Sequence, residues 1–190
     1  MSAHPLNLAD AAWAVAGIVW LIGLFSQKRT ARRQTIASRL VHTALTVAAF
    51  LLLFNRNLAF GILGRRLLPD NAVVQWTGLI TTAAGTALAI WAHFMLGGNW
   101  SATVKLKQNH TLIRNGPYAI VRHPIYSGFL LAMLGTASIT GEMKGLLAVL
   151  FAGITWWLKL RLEEQFMIER FGSEYTRYQR EVKALIPSVL

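Results

Sequence analysis

The chain has 190 residues, of which 54% are hydrophobic and only 14% charged, against roughly 25% charged in an ordinary soluble domain. That balance excludes a conventional soluble globule and predicts a small all-α integral membrane protein. There is no cysteine, so disulfides, thiolate nucleophiles, Cys-ligated zinc and iron–sulfur clusters are excluded, while the net charge of +11 has to be mapped before it is assigned a partner.

Uncharged stretches locate the candidate spans at 11–27, 40–55, 71–104, 123–141 and 145–158. A bilayer-crossing helix needs about 20 apolar residues, so the first, third and fourth qualify directly. The second can extend past Asn55 into 58–63 if Arg56 turns inward or snorkels, and the fifth spans only if Lys144 and Lys159 snorkel or the helix continues beyond the bilayer. Five spans is the reading, the last two forming a tight hairpin that turns at 140–144; four is the competitor. No Lys or Arg precedes the first apolar segment, so it reads as a retained span rather than a secretory signal.

Fifteen of the 19 basic residues fall in three regions, 26–39, 97–122 and the tail from Lys159 onward. Five spans put all three on one face, which the positive-inside rule makes cytoplasmic, with the N-terminus outside. A prokaryotic inner membrane is the expected location. Charge spread over three loops at a membrane face argues against nucleic acid and suits anionic membrane lipids.

By composition the chain divides at 96/97 within one membrane domain. Residues 1–96 carry three transmembrane helices. Residues 97–190 carry a long polar loop, the hairpin and a cytoplasmic helical tail. Loops of this length are more often functional than not. Asn115-Gly116-Pro117 signals a turn, and Pro124 suits the first turn of a helix, leaving His123 and Tyr126 at its start beside free backbone N–H groups. Trp156 and Trp157 read as interfacial anchors. Glu163, Phe166, Met167 and Arg170 share one helical face, and Phe171-Gly172 reads as a stop. Each feature also has a plain structural reading: His123 as a cap, Glu163 and Glu164 as a solvated ion cluster with Lys159, Arg161 or Lys183, and Tyr118 and Tyr126 as belt residues. His42 and His93 stand isolated in spans, and no pair of ligands has zinc-type spacing, so no metal is expected.

The run from His110 through Thr111, Leu112, Ile113, Arg114, Asn115, Gly116 and Pro117 to Tyr118 is followed by 122–128 (Arg-His-Pro-Ile-Tyr-Ser-Gly). With Glu163-Glu164 and 171–175 (Phe-Gly-Ser-Glu-Tyr), these residues resemble the isoprenylcysteine carboxyl methyltransferase family. They are similar, more distantly, to the phospholipid N-methyltransferases. The resemblance covers residues 99–187. It implies a membrane enzyme that uses S-adenosylmethionine, with S-adenosylhomocysteine as product, on a lipid, a small lipophilic molecule or a prenylated substrate. It also implies that His110, Thr111, Leu112, Ile113, Tyr118, His123, Pro124, Ile125, Tyr126 and Glu163 hold the cofactor. A family residue tied to substrate falls on Lys159, where a lysine loses the bidentate hold of an arginine on a carboxylate. Arg161 is the candidate replacement.

The residues agree in kind. No G-x-G-x-x-G and no βαβ pattern offers a Rossmann site. A carboxylate such as Glu163 suits ribose hydroxyls or a cationic sulfonium. Methyl transfer asks mainly for alignment and exclusion of water. A carboxylate acceptor needs no base, whereas an amine acceptor would call on Glu164 or His123. Two other classes stay open: a membrane NADPH-dependent reductase resembling the sterol reductases, and a non-enzymatic protein that retains the pocket.

Overall fold

The computed structural model describes residues 4–25, 30–33, 35–100, 105–107 and 111–189. Six helices follow in order: α1 (Pro5–Phe25), α2 (Ile36–Phe54), α3 (Ala72–Leu96), α4 (Pro124–Thr140), α5 (Met143–Phe171) and α6 (Ser173–Glu181). Two short strands, β1 (Thr30–Arg33) and β2 (Lys105–Lys107), pair antiparallel and tie the α1–α2 connection to the long loop. α1, α2, α5 and α3 with its following 3₁₀ turn are long and apolar enough to cross a membrane; α4 is a shorter apolar helix. The protein is thus an all-α multi-pass membrane protein.

The helix ends follow local chemistry and correct two expectations. α2 is capped by Thr35, whose side chain accepts from the Ser38 N–H, and it stops at Phe54. Arg56–Leu58 then forms a separate 3₁₀ turn, with the Asn55 side chain accepting from Asn57, so the second span does not extend past Asn55. The short member of the hairpin is α4, not α5. α4 ends at Gly141, whose φ of 66° closes the turn, whereas α5 runs unbroken for 29 residues. Lys144 does not snorkel to water. Its ammonium is buried, 3.2 Å from Glu142 and directed at the Leu52 and Leu53 carbonyls at the end of α2. A cation there answers the unpaired carbonyls that terminate a helix.

α3 and α4 pack most closely of all the helices. A side chain at Gly85 would lie 2.4 Å from the Ala132 nitrogen, and one at Gly135 would lie 2.5 Å from the Gly78 carbonyl oxygen, so only hydrogen lets the backbones meet. Small residues at such a seam replace the hydrophobic drive that lipid removes between helices. Within the seam the Thr82 and Thr136 hydroxyls lie 3.2 Å apart, and Thr136 accepts from the Trp13 indole at 2.9 Å. α1 rests on α3 and α4, and α2 rests on α5 and α4. Helices from both sides of the 96/97 division therefore build one bundle.

The tail folds back on the start of α4. Gly172, with φ 54°, ends α5 and turns the chain into α6. Beyond α6, the Lys183 and Ala184 carbonyls accept from the Arg122 and His123 N–H groups at 2.8 and 3.0 Å, and the Leu185 carbonyl accepts from the Ser127 hydroxyl at 2.6 Å. The Arg122 guanidinium donates to Glu164 at 2.7 Å and to the Gln179 and Val182 carbonyls. The Gln179 amide donates to the other Glu164 oxygen at 2.9 Å.

Two stability predictions result. Gly85→Leu should lower the melting temperature in detergent sharply, while Gly17→Leu, with nothing within 4 Å of its Cβ position, should leave it near wild type. Glu164→Ala would strand a buried guanidinium, costing about 3–5 kcal/mol and roughly 10 °C of melting temperature; thermal unfolding monitored by fluorescence reads both.

Candidate functional site

α4, α5, the loop, the tail, α1 and α2 enclose a cavity of about 1000 Å³. Its polar end is built around consecutive residues of α5. Neighbours on a helix point about 100° apart, so Glu163 faces the cavity while Glu164 turns into the tail. Tyr126, on the first turn of α4, donates to Glu163 at 2.7 Å. His123 lies between the two carboxylates, with Nδ1 3.6 Å from Glu163 and Nε2 3.2 Å from Glu164. The His123, Tyr126 and Trp156 rings stack at centroid distances of 5.8 and 5.7 Å, and the Lys159 ammonium lies over the Tyr126 ring at 5.4 Å.

The opposite wall comes from the loop and α6. Thr111, Leu112 and Ile113 line the cavity, and Thr111 accepts from the Asn99 amide at 3.0 Å. Gly116, with φ 58°, opens a 3₁₀ turn over Gly116–Ala119 that places Tyr118 in the wall. The Tyr118 hydroxyl donates to the Ala92 carbonyl at 3.3 Å, and the Tyr178 hydroxyl donates to the Tyr118 carbonyl. Burial pushes the Tyr178 hydroxyl up to about 12, and burial, then the Glu163 charge, raises Tyr118 well above the usual phenol range. Both phenols therefore stay protonated and serve as donors. Arg114 pairs with Glu181 and covers the Tyr178 ring, holding loop and tail together from outside.

Thr111, Leu112, Ile113, Tyr118, His123, Ile125, Tyr126, Lys159 and Glu163 all line the one cavity. His110 lies outside the described residues. Pro124 does not line the cavity: it is the buried first residue of α4. The N–H groups just before it are not free, because Arg122 and His123 donate theirs to the tail. Those of Ile125 and Tyr126, in the opening turn of α4, lack intrahelical acceptors. His123 makes no side-chain cap.

Glu164 and Arg161 do not line the cavity either. Glu164 is buried against Arg122, His123 and Gln179, and so is neither a solvated ion nor placed to touch a ligand. Arg161 is exposed on the outer face of α5, 5.8 Å from the Trp157 ring. Trp156, expected at the membrane interface, is buried in the cavity wall. Among the described residues no group of three His, Asp or Glu side chains could hold a metal.

Sequence reading missed the contribution of α1 and α2. Trp13 and Trp20 of α1, with His42, Thr46, Phe50 and Phe54 of α2, continue the cavity as an aromatic groove. The signals were present: Trp13 and Trp20 are seven apart, and 42, 46, 50 and 54 recur every fourth residue on one helical face. The buried Nδ1 of His42 has no hydrogen-bond partner among the described residues. Tyr175 and Tyr178 of α6 also face the cavity.

The phospholipid methyltransferase family model matches residues 73–174, just over half of the chain. The protein-S-isoprenylcysteine O-methyltransferase of Schizosaccharomyces pombe is 32% identical over 123 residues, covering 62% of this chain and 51% of that protein. Its namesake from Saccharomyces cerevisiae is 34% identical over 137 residues, covering 65% and 56%. The chain spans about half the length of the curated relatives it matches. A solved structure of the eukaryotic intramembrane Ras methyltransferase, an isoprenylcysteine carboxyl methyltransferase, is similar with a TM-score of 0.52 at 25% identity, over 77% of this chain and 52% of that one. The resemblance carried by residues 99–187 is thereby borne out, and the chain belongs to the phospholipid methyltransferase family, with isoprenylcysteine carboxyl methyltransferases among its relatives.

Proposed function

We propose that this chain is a membrane methyltransferase that uses S-adenosylmethionine to methylate a carboxylate on a lipophilic acceptor of the isoprenylcysteine type. The observation that carries the reading is one continuous cavity with two chemistries. A carboxylate, stacked aromatics and helix-start N–H groups line one end, and an aromatic groove between membrane helices lines the other.

The donor set fits the cofactor. Glu163 offers a carboxylate to ribose hydroxyls or to a sulfonium charge, Tyr126 holds that carboxylate through its hydroxyl, Tyr118 offers a ring face, and the Ile125 and Tyr126 N–H groups suit a carboxylate tail. Thr111, Leu112 and Ile113 close that end. When bound, S-adenosylmethionine supplies an electrophilic methyl group. The chain's own residues align the acceptor and keep water out. Lys159, one turn before Glu163, gives the acceptor carboxylate a single charge partner rather than a bidentate clamp. Glu164 acts as a positioning residue: with Arg122 and Gln179 it orients α5 so that Glu163 meets Tyr126. α1 and α2 supply most of the acceptor groove, and residues 97–190 the chemistry. An amine acceptor would need a base, which His123 between its two carboxylates can provide; an assay on farnesylcysteine against phosphatidylethanolamine separates the two readings.

The polar end of the cavity is lined by residues 111–113, the start of α4 and the tail, which belong to or adjoin the basic regions 97–122 and 159–183 of the sequence. Positive-inside bias places that end in the cytoplasm, where S-adenosylmethionine is made.

Calorimetric titration of the detergent-purified protein with S-adenosylhomocysteine should show saturable one-site binding, with none to NADPH. Glu163→Ala should abolish it and Tyr126→Phe should weaken it several-fold; normal binding by folded Glu163→Ala sinks the assignment. Because the chain has no cysteine, single introduced cysteines report sidedness. Asn57→Cys should react with an impermeant maleimide in intact cells, and Arg180→Cys only after permeabilisation; the reverse pattern inverts the topology.

A further inference from the structure

We propose that Trp13 is the floor of the acceptor groove and sets the longest lipid tail the protein accepts, an inference that rests on the acceptor reading above. α1 leans on α3 and α4 while α2 leans on α5 and α4, so the groove between α1 and α2 is bridged by side chains. Trp13 makes that bridge. Its indole stacks on Phe129 of α4 at 5.6 Å with an interplanar angle of 13°, and meets Phe50 and Phe54 of α2 edge-on at 5.5 and 5.6 Å. The indole N–H donates to Thr136 at 2.9 Å, within the close seam of α3 and α4. A ring held on three faces and by its only polar atom cannot swing aside as a flexible side chain would.

One helical turn toward the polar end the groove is open. Gly17 lines the cavity, and nothing lies within 4 Å of its Cβ position. The tail therefore has room beside Gly17 and meets the indole at Trp13; beyond it the lining passes to Asp10, an exposed carboxylate that an apolar tail avoids. Along α2, twelve residues separate His42 at the polar end from Phe54 at the floor, about 18 Å at the helical rise. A tail lying in the groove therefore has about 18 Å before it meets the indole and Phe54. An extended isoprenoid suits such a narrow slot lined by aromatic faces. A hydrophobic pocket discriminates by the apolar length it can bury, and rejects the excess through steric overlap.

The test measures kcat/KM for N-acetylcysteine thioethers bearing geranyl, farnesyl and geranylgeranyl tails, with S-adenosylhomocysteine binding followed in parallel. Trp13→Ala should raise the geranylgeranyl-to-farnesyl ratio at least tenfold, and Phe54→Ala should move it the same way. Gly17→Leu should lower it and favour the geranyl acceptor, and it keeps the question answerable if Trp13→Ala does not fold. S-adenosylhomocysteine affinity should stay within twofold of wild type in all three. Active variants whose tail ratios match wild type overturn the floor while leaving the methyltransferase reading intact. A wild-type protein that neither binds S-adenosylhomocysteine nor methylates any of the three overturns that reading, and the floor with it.

Discussion

The buried pair between Arg122 and Glu164 is the interaction on which the polar end depends. Arg122 ends the loop, Glu164 lies on the last turns of α5, and the remaining guanidinium donors reach carbonyls of the tail. Two charges taken out of water need every lone pair and proton answered, and Gln179 and His123 complete the set. The consequence is geometric. With α5 fixed in rotation about its axis by Glu164, Glu163 is turned toward the first turn of α4, where the Tyr126 hydroxyl meets it.

The opposite constraint operates in the membrane. Lipid offers no hydrophobic gain for bringing helices together, so the bundle relies on contact between backbones, and α3 and α4 achieve it through glycines and hydroxyls. α1 leans on that rigid pair while α2 leans chiefly on α5, leaving the groove between them. The indole of Trp13 is part of both systems: bonded into the α3–α4 seam at one edge and touching α2 at the other.

The two regions divide the work of the proposed reaction. Polar and charged groups cluster where loop and tail can bring carbonyls and carboxylates to them. The groove is aromatic because rings give stiff apolar walls with little side-chain freedom to lose. A water-soluble cofactor and a lipid-soluble acceptor can thus reach one site from different phases. Alignment of the two is the service this architecture would perform in the proposed reaction.

Much was legible in the residues alone. Hydropathy, the clustering of basic residues, the Gly172 stop and the Pro124 start are local properties, set by transfer free energy and backbone sterics. They gave the membrane class, the hairpin and the tail. The motif residues Tyr126, Glu163 and Tyr118 were identified, and they do converge. What the chain could not disclose on its own was rotation and partnership. Adjacent glutamates are chemically identical in sequence, and only the packing of α5 against α4 and α6 sends one to the cavity and the other to Arg122. Trp13, His42 and Phe50 read as ordinary span residues, because whether a side chain faces lipid, a neighbour or a groove is decided by where two helices fail to touch. That is a property of the assembled bundle, in which the α3–α4 contact comes first and the spaces around it follow.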